Sequence, residues 1–88
     1  VQLTVWLLEL QGWEARGEPH PLEALVLANT FQPDVLLCDR EMPELDGYSF
    51  LERYRRGGGS APVVLLTGHV SASESARGQA AGFAGFLG

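Results

Sequence analysis

Asp34-Val35-Leu36-Leu37-Cys38-Asp39 is the stretch that decides the architecture. Four apolar residues stand unbroken between two carboxylates, with Pro33 just before them. A half-exposed strand would alternate apolar and polar. A strand apolar on both faces belongs inside a parallel sheet with layers on each side. Pro62-Val63-Val64-Leu65-Leu66 repeats the pattern and ends at Thr67. Residues 85–88 begin one more strand at the end of the sequence.

The segments between these runs read as helices. Pro21 suits a first helical turn, where its missing N–H is not needed. Leu22, Leu25, Val26 and Asn29 then share one face, and Pro33 lies past the end. Asp46 is a good N-cap for a helix from Gly47 to Arg56, with Phe50, Leu51 and Tyr54 as its apolar face. Gly57-Gly58-Gly59 stops it. Ser71-Ala72-Ser73-Glu74 has the form of a capping box, in which hydroxyl and carboxylate each take a free backbone N–H. That helix runs to about Ala81 and ends at Gly82. Residues 1–11 carry two periods at once. Val1, Leu3, Val5 and Leu7 alternate as in a strand, whereas Leu3, Leu7 and Leu10 recur as in a helix. With Gly12 as a C-terminal stop, we assign a helix here, and a short strand to Trp13-Glu14-Ala15-Arg16. Helices alternating with buried strands predict an α/β fold with an open, doubly wound parallel sheet. Right-handed crossovers put all strand C-termini on one edge, where such sheets bind ligands.

Bulk properties narrow the function. Eighty-eight residues make one domain, and 45% apolar with 19% charged residues is globular composition. A net charge of −5 gives this segment no electrostatic reason to contact nucleic acid or an anionic membrane. Cys38 is the single cysteine, cannot form an internal disulfide, and reads as core in a reducing compartment. No apolar run approaches the roughly 18 residues of a membrane span. The sequence begins with Val1, from which we expect an incomplete piece of a longer protein.

Asp39 and Thr67 each end a buried run. Neighbouring strands lie about 4.8 Å apart, so carboxylate and hydroxyl would face one small volume. A carboxylate there can attack phosphorus, and a hydroxyl can bind a phosphoryl oxygen. Gly68 leaves room for a small group. Taken singly, Asp after a strand is more often a cap or turn former, and Thr simply a β-branched strand end. The wider wording changes the weight. Residues 33–39, then Met42-Pro43, then Leu45-Asp46-Gly47-Tyr48 resemble the phosphoacceptor region of response-regulator receiver domains. Residues 62–69 resemble the strand that carries that family's phosphate-binding hydroxyl, and residues 80–87 its last strand.

The resemblance implies a flavodoxin-like receiver fold over residues 1–88, lacking its first strand and last helix. It implies that Asp39 takes phosphate from a histidine kinase, that Thr67 turns toward the phosphate, and that Phe86 is the aromatic that moves with it. Asp39 and the backbone carbonyl of Glu41 would be Mg²⁺ ligands. The family's acidic pair and its Lys have no counterpart within residues 1–88, so Mg²⁺ is expected to be weak or absent here. Expected partners are the kinase and an output domain or downstream protein, in the cytoplasm, with no membrane and no catalytic turnover of its own. With the first strand missing, either a strand-exchanged oligomer forms or residues 1–7 switch to strand and fill the gap. Two rival readings stand beside this one. One is a receiver-like interaction module that is not phosphorylated. The other is an Asp-nucleophile phosphatase, for which Glu41 is the sole second carboxylate. His20 reads as a surface-loop residue, and His69, after Thr67-Gly68, as a lone His that could line the edge. Arg53, Arg55 and Arg56 read as a solvated helix face, with an acidic partner as the alternative, and Trp6 and Trp13 as packing residues.

Overall fold

The computed structural model describes residues 3–40, 42, 44–68 and 71–87. In chain order it forms β1 (Val5–Glu9), β2 (Glu14–Glu18), α1 (Pro21–Phe31), β3 (Val35–Asp39), α2 (Gly47–Arg56), β4 (Val63–Leu66), α3 (Ala72–Ala81) and β5 (Gly85–Leu87). The strands make one sheet in the order β2-β1-β3-β4-β5. β3, β4 and β5 are parallel, with Leu36 opposite Val63 and Leu65 opposite Phe86. This is the α/β core expected from the two apolar runs.

The N-terminal segment departs from expectation. Residues 5–9 are a strand, not part of a helix, and β1 runs antiparallel to both β2 and β3. Trp6 pairs with Leu37 and Leu7 with Leu36, so the segment occupies the slot between β2 and β3. Val5 and Leu7 are fully buried, while Trp6 and Leu8 are half-buried on the other face. Period two wins because an apolar strand beside β3 satisfies the backbone groups along that edge. A helix would leave them unpaired. The sheet is therefore mixed rather than wholly parallel. Gly12 does not end a helix. It lies in the tight β1–β2 turn, where the Glu9 carboxylate accepts from the N–H groups of Gln11 (2.8 Å) and Gly12 (2.7 Å). Trp13 takes φ 56° in this turn and is 87% exposed, so it is not a packing residue.

α1 and α2 deliver Ala24, Ala28, Phe50, Leu51 and Tyr54 into one core with Val5, Leu7, Leu36, Cys38, Val63 and Leu65. α2 follows its expected face and N-cap, with Asp46 accepting from Ser49 N–H at 2.8 Å. α1 does not follow its expected face. It buries Pro21, Ala24 and Ala28, while Leu22 and Val26 are exposed. The small alanine face lets the helix lie close to the sheet, and its larger residues Leu25, Leu27 and Phe31 pack around the edge of the core. α3 ends at Gly82, φ 108°, as expected. Trp6, Leu8, Val35, Leu37, Val64 and Leu66 form the second apolar face of the sheet. They are half-buried and stand outside the core.

Candidate functional site

The C-terminal ends of β3, β4 and β5 share one edge. Asp39 is the last residue of β3 and is partly exposed. Its N–H donates to the Thr4 carbonyl at 2.8 Å, so its backbone is tied to the segment that leads into β1. Arg40 continues the ladder, its N–H donating to Leu66 O at 3.0 Å. The following loop is closed by Gly47 N–H donating to Arg40 O at 3.0 Å. Gly47 also packs against this turn: a Cβ there would lie 3.1 Å from Asp39 O and 2.8 Å from Leu65 Cδ1. A larger residue would push α2 off the strand end that presents Asp39.

Thr67 follows β4 directly and is partly exposed, with its N–H donating to Leu87 O at 2.9 Å. The register pairs Asp39 with Leu66, so Thr67 sits one step beyond Asp39 along the same edge. Gly68 is exposed, and no atom of the described residues lies within 4 Å of where its Cβ would be. The structure thus brings Asp39, Thr67 and Gly68 to one edge. Glu41 and His69 lie outside the described residues.

Phe86 is half-buried in β5, opposite Leu65. Its ring lies against α3 at Gly78, where an added Cβ would come within 2.3 Å of the ring. Gly78 is therefore the gap that admits the ring, and it is the one buried residue of α3. Phe83 stands 6.5 Å from Phe86 and 5.4 Å, edge on, from Tyr48, and Arg77 lies 4.3 Å over the Tyr48 ring. An aromatic chain thus links β5 to α2 beneath α3.

Two features of this edge escape a reading of the sequence. Arg40, read as one residue of an acidic loop, forms an ion pair through Nη1 with Glu74 Oε1 on α3. The capping box is consequently only half made. Ser71 accepts from Glu74 N–H at 3.1 Å, but the reciprocal bond from Ser71 N–H to Glu74 is not among the hydrogen bonds of the described residues. The guanidinium claims the carboxylate because a charged donor bonds it more strongly than a neutral N–H. A basic residue directly after Asp39 was the available signal. Cys38, next to Asp39, is fully buried, and burial, helped by the neighbouring Asp39 charge, pushes its thiol up to about 12. It stays protonated and is not a nucleophile.

No group of three or more His, Cys, Asp or Glu comes together among the described residues. Mg²⁺ wants near-octahedral oxygen ligands and gives up water reluctantly. None of the described helices is long and apolar enough to cross a membrane.

Comparison with known proteins points one way. The family profile of the response regulator receiver domain matches residues 1–88. The DNA-binding transcriptional regulator NtrC of Proteus hauseri is 37% identical over 68 residues, covering 73% of this chain and 14% of that protein. The response regulator MprA of Mycobacterium avium is 32% identical over 80 residues, covering 91% of this chain and 35% of that protein. The solved receiver domain of the Francisella response regulator 1452 superposes with a TM-score of 0.70 at 35% identity, over 77% of this chain and 56% of that one. The chain therefore spans about a third or less of these curated relatives.

Proposed function

The chain belongs to the response regulator receiver family, and from that premise we propose that Asp39 accepts a phosphoryl group from a phosphohistidine of a histidine kinase. A carboxylate oxygen of Asp39 attacks phosphorus, the P–N bond breaks, and the imidazole leaves with the electron pair. Thr67 donates its hydroxyl to a phosphoryl oxygen, Gly68 leaves the entry clear, and Phe86 follows the movement of Thr67. The single observation that carries this reading is the placement of Asp39 at the end of a buried strand, on the edge where Thr67 follows β4. Phosphate adds about −1.5 to −2 of charge and strong acceptor oxygens, enough to bias a local two-state surface.

In this reading the segment is a phosphorylated switch and not an enzyme that turns over a substrate. Mg²⁺ belongs to the proposal for the whole protein, with Asp39 and the Glu41 carbonyl as its ligands from this segment. The partners are a histidine kinase and an output domain or downstream protein, and the location of this protein is the cytoplasm. Contact with nucleic acid, where the output has it, is made outside this acidic segment. The rival reading, an interaction module without phosphorylation, is separated by one experiment. The full-length protein and its Asp39→Asn variant are incubated with a small phosphodonor and Mg²⁺. We expect base-labile label on the first and none on the second; equal label on both refutes the assignment of Asp39. No label on either favours the interaction module.

A further inference from the structure

α3 is held to the rest of the molecule with little apolar burial. Only Gly78 of this helix is buried. Among the described residues its attachments include the Phe86 ring at Gly78, Arg77 over Tyr48, and the ion pair of Glu74 with Arg40. The last of these is made by the residue immediately after Asp39. Arg40 and Glu74 are 41% and 32% exposed, so the pair is weak and open to exchange.

We propose that Arg40 is a phosphate-binding residue that trades Glu74 for the phosphoryl group on Asp39, and so passes the state of Asp39 to α3; this rests on Asp39 being the phosphoacceptor. Each partner of the pair has a second place to go. The guanidinium fork of Arg40 matches a phosphoryl group, which carries more charge than the Glu74 carboxylate and offers two oxygens at once. Arg40 is held at the edge by its own backbone bonds to Leu66 O and from Gly47 N–H, so only its side chain has to swing. Glu74 stands three residues after the Ser71 N-cap, which is the position from which a carboxylate bonds back to the cap N–H. When Arg40 leaves, Glu74 completes the capping box. The first turn of α3 exchanges an external tether for an internal cap.

The test uses the full-length protein, with beryllium trifluoride in Mg²⁺ buffer as the probe for phosphate on Asp39. Binding is measured for wild type, Arg40→Gln, Glu74→Gln and the double variant, and amide hydrogen exchange is followed across residues 72–77. Arg40→Gln should bind about tenfold more weakly, the loss of one charge-assisted contact. Glu74→Gln should bind more tightly, by no more than about fivefold, because a competing surface partner is gone. In the double variant the gain should vanish, since Glu74 acts only through Arg40. In wild type the probe should change exchange in the first turn of α3, and in Arg40→Gln it should not. Wild-type binding with Arg40→Gln unaltered, or a Glu74→Gln gain that persists without Arg40, overturns the proposal alone. A wild type that fails to bind, or an Asp39→Asn variant that binds equally well, overturns the phosphoacceptor reading and this proposal with it.

Discussion

Two residues at the end of β3 have opposite characters, and alternation along a strand explains it. Cys38 points into the core and is fully buried, whereas Asp39 is partly exposed at the edge. The thiol, raised to about 12 mainly by burial, stays neutral well beyond the pH at which an unfolded cysteine ionises. A raised pKa favours the folded state fully below the unfolded value near 9.0 and progressively loses that stability as pH climbs toward 12. Urea unfolding between these limits should therefore show stability falling by on the order of 1 kcal/mol per pH unit more in wild type than in Cys38→Ala. Equal slopes would mean that the thiol is not shielded. Thr67 offers a second residue-scale test. Thr67→Ala should still accept phosphate, because in the proposed chemistry Thr67 binds the group and is not the nucleophile. The coupling between phosphate and partner binding should fall by about 1.5–3 kcal/mol, the size of a charge-assisted hydrogen bond. Partner affinities measured with and without phosphate give this coupling directly, and an unchanged coupling contradicts the role.

At the scale of elements, β3, β4, α2 and the end of α3 were legible because their signals are local and unopposed. Val35–Cys38 and Val63–Leu66 are apolar on both faces, Asp46 caps α2, and Gly82 ends α3. β1 was not legible, because residues 1–11 carry both periods and the choice is made by a distant strand edge. The buried face of α1 was missed for a related reason. Side-chain size argued for Leu22 and Val26, but close approach to the sheet selected Ala24 and Ala28. Arg40 was missed because its partner lies 34 residues away on another element. The strand assignment of β1 is directly testable. As a strand, Leu7 is buried and Leu10 lies 47% exposed in the turn; as a helix they would share a face. Leu7→Ala should therefore cost about 2–5 kcal/mol in urea unfolding, the range for emptying a core leucine site. Leu10→Ala should cost a small fraction of that. Similar losses at both positions would restore the helix.

For the whole molecule, the decisive feature is a sheet with one face in the core and a second apolar face that is only half-buried among the described residues. Trp6, Leu37 and Val64 lie side by side across β1, β3 and β4, half-buried and outside the core cluster of the described residues. A contiguous apolar sheet face seeks cover. Residues 1–88 on their own should consequently self-associate, and Leu37→Lys, which puts a charge at the centre of that face, should weaken the association. Sedimentation over a concentration series reads both, and a wild-type segment that stays monomeric throughout refutes the expectation. The same isolated segment should bind Mg²⁺ weakly, since the proposed ligands from it are one carboxylate, Asp39, and one carbonyl, and Mg²⁺ wants octahedral oxygen ligands and sheds water reluctantly. The central claim is narrower than the fold: one carboxylate on this edge carries the phosphoryl group. Borohydride reduces an acyl phosphate of aspartate to homoserine, so it marks the residue itself. The full-length protein is treated with a small phosphodonor and Mg²⁺, reduced, digested and sequenced by mass spectrometry. We predict homoserine at position 39 and at no other aspartate; conversion elsewhere, with Asp39 intact, would contradict the account.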